Sequence, residues 1–112
     1  MTSPSPIDFK VLARMIDNDD VTRLREIASV FGRSSARMLV HIQECWARGD
    51  MKAVYIAAHG WKGAAKQVGA LPLAEALAHL EANLPHAAKA LAEVERHFYA
   101  LSAWLGTIAG GI

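Results

Sequence analysis

Residues 51–69 read MKAVYIAAHGWKGAAKQVG, and this stretch decides the fold. Alanine and lysine dominate it, no alternating apolar pattern runs through it, and Gly69 closes it. The spacing predicts a helix from Met51 to about Val68. At about 100° per residue, Val54, Ala57, Trp61, Ala64, Ala65 and Val68 fall on one side. That side is apolar throughout and is expected to face other helices. Lys52, Tyr55, Ile56, His59, Lys62, Gly63 and Lys66 fall on the opposite side, which places His59 near the centre of an outward face.

The flanking sequence continues the helical pattern. Arg48-Gly49-Asp50 is a tight connection, with glycine suited to a helix C-terminus and aspartate to the next N-cap. Before it, Val21, Leu24, Ile27, Ala28, Phe31, Ser35, Met38, Leu39, Ile42 and Trp46 recur every three or four residues. They predict a long helix from about Asp20 to Ala47, with Gly32 inside it. The Asp17-Asn18-Asp19-Asp20 cluster ends a short first helix, Phe9 to Ile16, which Asp8 caps. After Gly69, Pro72 and Pro85 each suit a first helical turn, predicting helices over about Leu73–Asn83 and His86–Leu105. Short links between four sizeable amphipathic helices predict an all-α fold. The expected architecture is an antiparallel up-and-down four-helix bundle with a short extra N-terminal helix. The expected division is a flexible N-terminus over 1–7, the bundle over 8–105, and a flexible glycine-containing tail over 106–112.

Composition narrows the function classes. The 112 residues suffice for one domain, and a net charge of +1 argues against bulk electrostatic binding to nucleic acid or an anionic membrane. The single cysteine, Cys45, excludes an intrachain disulfide and paired-thiolate zinc sites, and is expected to be a small buried hydrophobe. Met1 to Pro6 has neither a basic start nor an apolar run, so no signal peptide is expected. No stretch approaches the ~20 apolar residues of a membrane span. A cytoplasmic location follows as the expectation. His41, His79, His86 and His97 form no Glu-x-x-His or His-Glu-x-x-His pattern, so no metal site is expected. Trp46, Phe98, Tyr99 and Trp104 are expected to be core or half-buried.

The outward face carries the chemistry. A neutral imidazole is nucleophilic without a separate base, and a phosphoryl group on it adds negative charge that needs compensation. Lys62 and Lys66, one and two turns beyond His59, can supply that compensation. Gly63 lies beside His59 on the wheel and leaves room for a phosphoryl group and an incoming protein. Mid-helix glycine is destabilising, so its placement there points to function. Gly60 bears a similar cost without a comparable reason.

These residues resemble the signature of histidine-containing phosphotransfer (HPt) domains, His-x-Leu-Lys-Gly-(Ser/Ala) with glycine ten residues after the histidine. His59, Lys62, Gly63, Ala64 and Gly69 match in place, and Gln67 stands where the family commonly has a small amide or polar residue. Gly49-Asp50, Ala58 and the Leu80-Glu81 pair also match common features, so the resemblance covers about residues 8 to 105. Trp61 stands in place of the usual leucine, and Gly60 in place of a frequent threonine or serine. The resemblance implies that His59 accepts a phosphoryl group from the aspartyl phosphate of a receiver domain and passes it to another receiver. It assigns charge stabilisation to Lys62 and steric clearance to Gly63, with Gln67 and Gly69 in supporting positions, while Lys66 lies outside the signature and is a supporting charge read from the helix face alone. Tyr55 and Ile56 become a partner-docking patch. It implies no ATP site and no cofactor of the chain's own, magnesium coming from the partner receiver. The expected partners are response-regulator receiver domains and a hybrid histidine kinase, and the expected state is a monomer. The alternatives are an HPt-fold adaptor that binds a receiver or kinase without carrying phosphate, and a metal- or haem-binding bundle.

Overall fold

In the computed structural model, which describes residues 5–108, the chain forms five helices. They are α1 (Phe9–Ile16), α2 (Val21–Ala47), α3 (Met51–Gln67), α4 (Leu71–Ala82) and α5 (Ala88–Ile108). Aspartates start the first three. The Asp8, Asp20 and Asp50 side chains accept hydrogen bonds from the backbone N–H groups of Lys10, Thr22 and Ala53 at 2.9, 2.9 and 3.1 Å. Each such cap stabilises its helix by about 1 kcal/mol. Asp17 closes α1 in the left-handed region at φ 52°, and Asn18 Oδ1 accepts from the Asp20 N–H at 2.8 Å.

α2, α3, α4 and α5 close a ring in which each helix packs against the two beside it, and α1 lies against α2 and α3. Cross-helix pairs show that neighbours run antiparallel. Ser35 meets Trp61 between α2 and α3, and His79 meets Glu93 between α4 and α5. Between α2 and α5, Gln43 Nε2 donates to Glu95 at 2.8 Å, while Gly32 lies against Leu105. A side chain at Gly32 would collide with Leu105, so this glycine serves close packing and α2 runs through it unbroken.

The core contains Leu24, Ala28, Phe31, Leu39 and Ile42 of α2, Val54, Ala57, Ala58 and Trp61 of α3, Leu73, Leu77 and Leu80 of α4, and Leu91, Val94, Phe98 and Leu101 of α5. Trp61, 2 % exposed, packs edge-on against Phe98 and donates from its indole N–H to Ser35 Oγ at 2.9 Å. Ser35 is the one buried polar residue among those described, and this bond satisfies both partners. Cys45 is fully buried, with Arg48 donating to its Sγ at 3.4 Å.

Several sequence expectations need correction. Ala64 is exposed and Ala58 is buried, so the inward face of α3 is rotated towards Ala58. Tyr99 is 58 % exposed, because its neighbour Phe98 takes the inward position on α5. Val21, at the first position of α2, is exposed. α4 begins at Leu71, so that Pro72 is its second residue, and α5 begins at Ala88. Pro85 therefore lies in the turn before α5, where the Leu84–Pro85 bond is cis. Of the expected flexible termini, 1–4 and 109–112 lie outside the described residues. Ile7 is 1 % exposed and belongs to the core, and α5 continues past Gly106 to Ile108.

Candidate functional site

α3 and α4 together build the site. His59 projects from α3 with its side chain 64 % exposed. One turn on, Lys62 extends along the surface with its side chain 19 % exposed. Between them stands Glu81 of α4, whose side chain is 9 % exposed. Its Oε1 lies 2.6 Å from His59 Nδ1, and its Oε2 accepts from Lys62 Nζ at 2.5 Å. One carboxylate thus engages both functional side chains of α3.

Electrostatics fix the protonation pattern. Burial raises the Glu81 pKa, but hydrogen bonds from Lys62 and His59, with their charges, outweigh it. The carboxyl is held below its ordinary value of 4.5. Near neutral pH Glu81 is therefore an anion that only accepts hydrogen bonds, so His59 Nδ1 must carry the proton of the bond between them. In the neutral imidazole this leaves the lone pair on Nε2, which has no hydrogen-bond partner among the described residues.

The surroundings leave the imidazole largely exposed. A Cβ added at Gly63 would meet no atom within 4 Å, so nothing among the described residues requires glycine there. The same is true of Gly60, which nothing in the structure explains. Tyr55 stacks against His59, with 6.1 Å between ring centroids and 10° between planes, and both it and Ile56 are exposed.

The structure does not bring every sequence-derived position to this cluster. Lys66 and Gln67 are exposed and make no side-chain hydrogen bond among the described residues. Gly69 serves the fold instead. It adopts φ 77°, its carbonyl accepts from the Asp8 N–H at 2.8 Å, and a Cβ there would stand 2.5 Å from the Asp8 carbonyl oxygen. Glu81 is the residue whose part sequence reasoning missed. The Leu80-Glu81 pair was visible, but nothing in the linear spacing joined it to His59. Among the described residues, no group of three or more His, Cys, Asp or Glu side chains is arranged to hold a metal ion. No described helix is long and apolar enough to cross a membrane.

No curated protein and no solved structure matches the chain. The family model described as Hpt domain matches residues 26–104, which take in all of α3 and α4, most of α2, and α5 as far as Trp104. That match spans more than half of the sequence and includes the imidazole, ammonium and carboxylate described above. The chain accordingly belongs to the Hpt domain family, and with it to phosphotransfer in two-component signalling.

Proposed function

We propose that this protein is a phosphorelay intermediate that accepts a phosphoryl group on His59 from the aspartyl phosphate of one receiver domain and delivers it to another. The observation that carries this reading is the Glu81 bond to His59 Nδ1, which leaves the lone pair on Nε2 of an exposed side chain. In the forward step Nε2 attacks phosphorus, an N–P bond forms, and the P–O bond to the receiver aspartate breaks to release its carboxylate. The product is a phosphoimidazolium whose Nδ1–H stays on Glu81. That carboxylate stabilises the positive ring, as an orienting carboxylate does in other histidine sites.

Lys62 offsets the charge of the phosphoryl oxygens, and its bond to Glu81 holds the ammonium within one turn of His59. Gly63 supplies clearance, Lys66 adds a mobile positive charge, and Tyr55 and Ile56 form the apolar contact with the receiver. Gln67 and Gly69 support α3 and its end. Magnesium is supplied by the receiver, the chain works as a cytoplasmic monomer, and the first donor is the receiver of a hybrid histidine kinase.

Incubation with a phosphorylated receiver is expected to move acid-labile label onto the protein, and His59→Gln to abolish it. Label that survives this substitution would place the acceptor elsewhere. Full cellular function of a His59→Ala variant would instead identify an adaptor that carries no phosphate.

A further inference from the structure

Glu81 grips the His59 ring at a single point. The His59 side chain turns about its χ1 and χ2 bonds, and the Glu81 bond is the one hydrogen bond that restrains the ring among the described residues. Coupled turns about χ1 and χ2 can therefore still tilt Nε2. Transfer needs the lone pair aimed at phosphorus, so a second restraint on the ring is worth a large factor in rate. Tyr55 stands where that restraint would act.

Tyr55 precedes His59 by one turn of α3, and its ring lies nearly parallel to the imidazole, 10° between planes and 6.1 Å between centroids. Offset stacking is a favoured arrangement for two rings. Burial does not impose it, since Tyr55 is 47 % exposed and lies outside the core. The opposite flank of the histidine is bare at Gly63. The imidazole is thus walled by Tyr55 on its N-terminal side and tethered at Nδ1, and it is otherwise largely exposed.

We propose that Tyr55 is a positioning residue for His59, its ring holding the imidazole so that Nε2 faces the cleared side of α3. This rests on His59 being the phosphoacceptor. The stacked ring also acts in proportion to the charge it faces. Bond formation at Nε2 with the proton retained on Nδ1 makes the imidazole cationic, and an aromatic face attracts a cation more than a neutral ring. Tyr55 therefore favours the transition state over the resting histidine. Its hydroxyl makes no hydrogen bond among the described residues, so the ring is the working part.

The test uses the full chain and phosphoramidate, a donor too small to engage a docking surface. Nε2 attacks phosphorus, the donor's P–N bond breaks, and ammonia leaves. Tyr55→Phe is expected to label at the wild-type rate, and Tyr55→Ala roughly tenfold more slowly. Tyr55→Leu keeps bulk without an aromatic face and should match the alanine variant, which separates stacking from any loss of helix stability. With a phosphorylated receiver, the alanine and leucine variants should lose kcat and the phenylalanine variant should keep it. Equal labelling rates in all variants, or an effect confined to KM, would overturn the proposal and leave His59 as the acceptor. Slow labelling by Tyr55→Phe would overturn it by assigning the effect to the hydroxyl. Wild-type protein that takes no label on His59 would overturn the underlying reading, and this proposal with it.

Discussion

A carboxylate that binds an imidazole and an ammonium at once does two jobs that other side chains divide. Glu81 selects which nitrogen of His59 carries the proton, and it holds Lys62 in reach of the same histidine. A glutamine in its place keeps the shape but loses the charge, and its amide offers only one acceptor oxygen. It cannot accept from both partners on separate oxygens. Glu81→Gln is therefore expected to lower the phosphotransfer rate by about 10–100-fold, the usual cost of losing an orienting partner. The measurement is the rate of label transfer to His59, alongside a melting curve that shows the variant still folded. His59, Lys62 and Gly63 were legible in the sequence because all three lie within two turns of one helix, where spacing alone fixes their relation. The role of Glu81 was not, because it depends on how α4 is rotated against α3.

At the scale of elements, α2 and α3 are joined by one buried polar contact. Trp61 brings an indole N–H into the core, and Ser35 meets it from α2. The sequence placed Trp61 on the inward side of α3 and Ser35 on the apolar stripe of α2. Only the structure shows that each explains the other. Ser35→Ala leaves the indole N–H buried without an acceptor, which costs about 1–3 kcal/mol. Urea unfolding should show that loss, while label transfer to His59 stays unchanged in the folded protein. Most helix limits were legible from capping aspartates and glycines, whose effects act within one turn. The starts of α4 and α5 were less so, because proline tolerates several positions around a helix start. The rotation of α3 towards Ala58 depends on both neighbouring helices, and no single-helix wheel contains that information.

Over the whole molecule, the acid limb of stability should report on the site. The Glu81 carboxyl is held below 4.5, so the unfolded chain binds its proton more readily than the folded one. Its contribution is complete above that ordinary value and is lost as pH falls through the lower folded-state value. Urea unfolding from neutral pH downwards is expected to show wild type losing the Glu81 contribution below about pH 4.5, as that carboxylate takes up its proton. Glu81→Gln should lose less over that window, so the two curves draw together. Curves that stay parallel would remove Glu81 from the acid response.

The turn at Val68-Gly69-Ala70 has a wider consequence. It fixes the phase of α4 against α3, and the Asp8 N–H bonded to the Gly69 carbonyl pins it from outside the hairpin. One residue added within α4 between this turn and Glu81 would rotate Glu81 by about 100° relative to the start of the helix and carry it away from the imidazole, with both helices still able to form. The helical count from the turn to Glu81 works as a key: the parts of the phosphotransfer site can all be present in the chain, yet they meet only when that count is right.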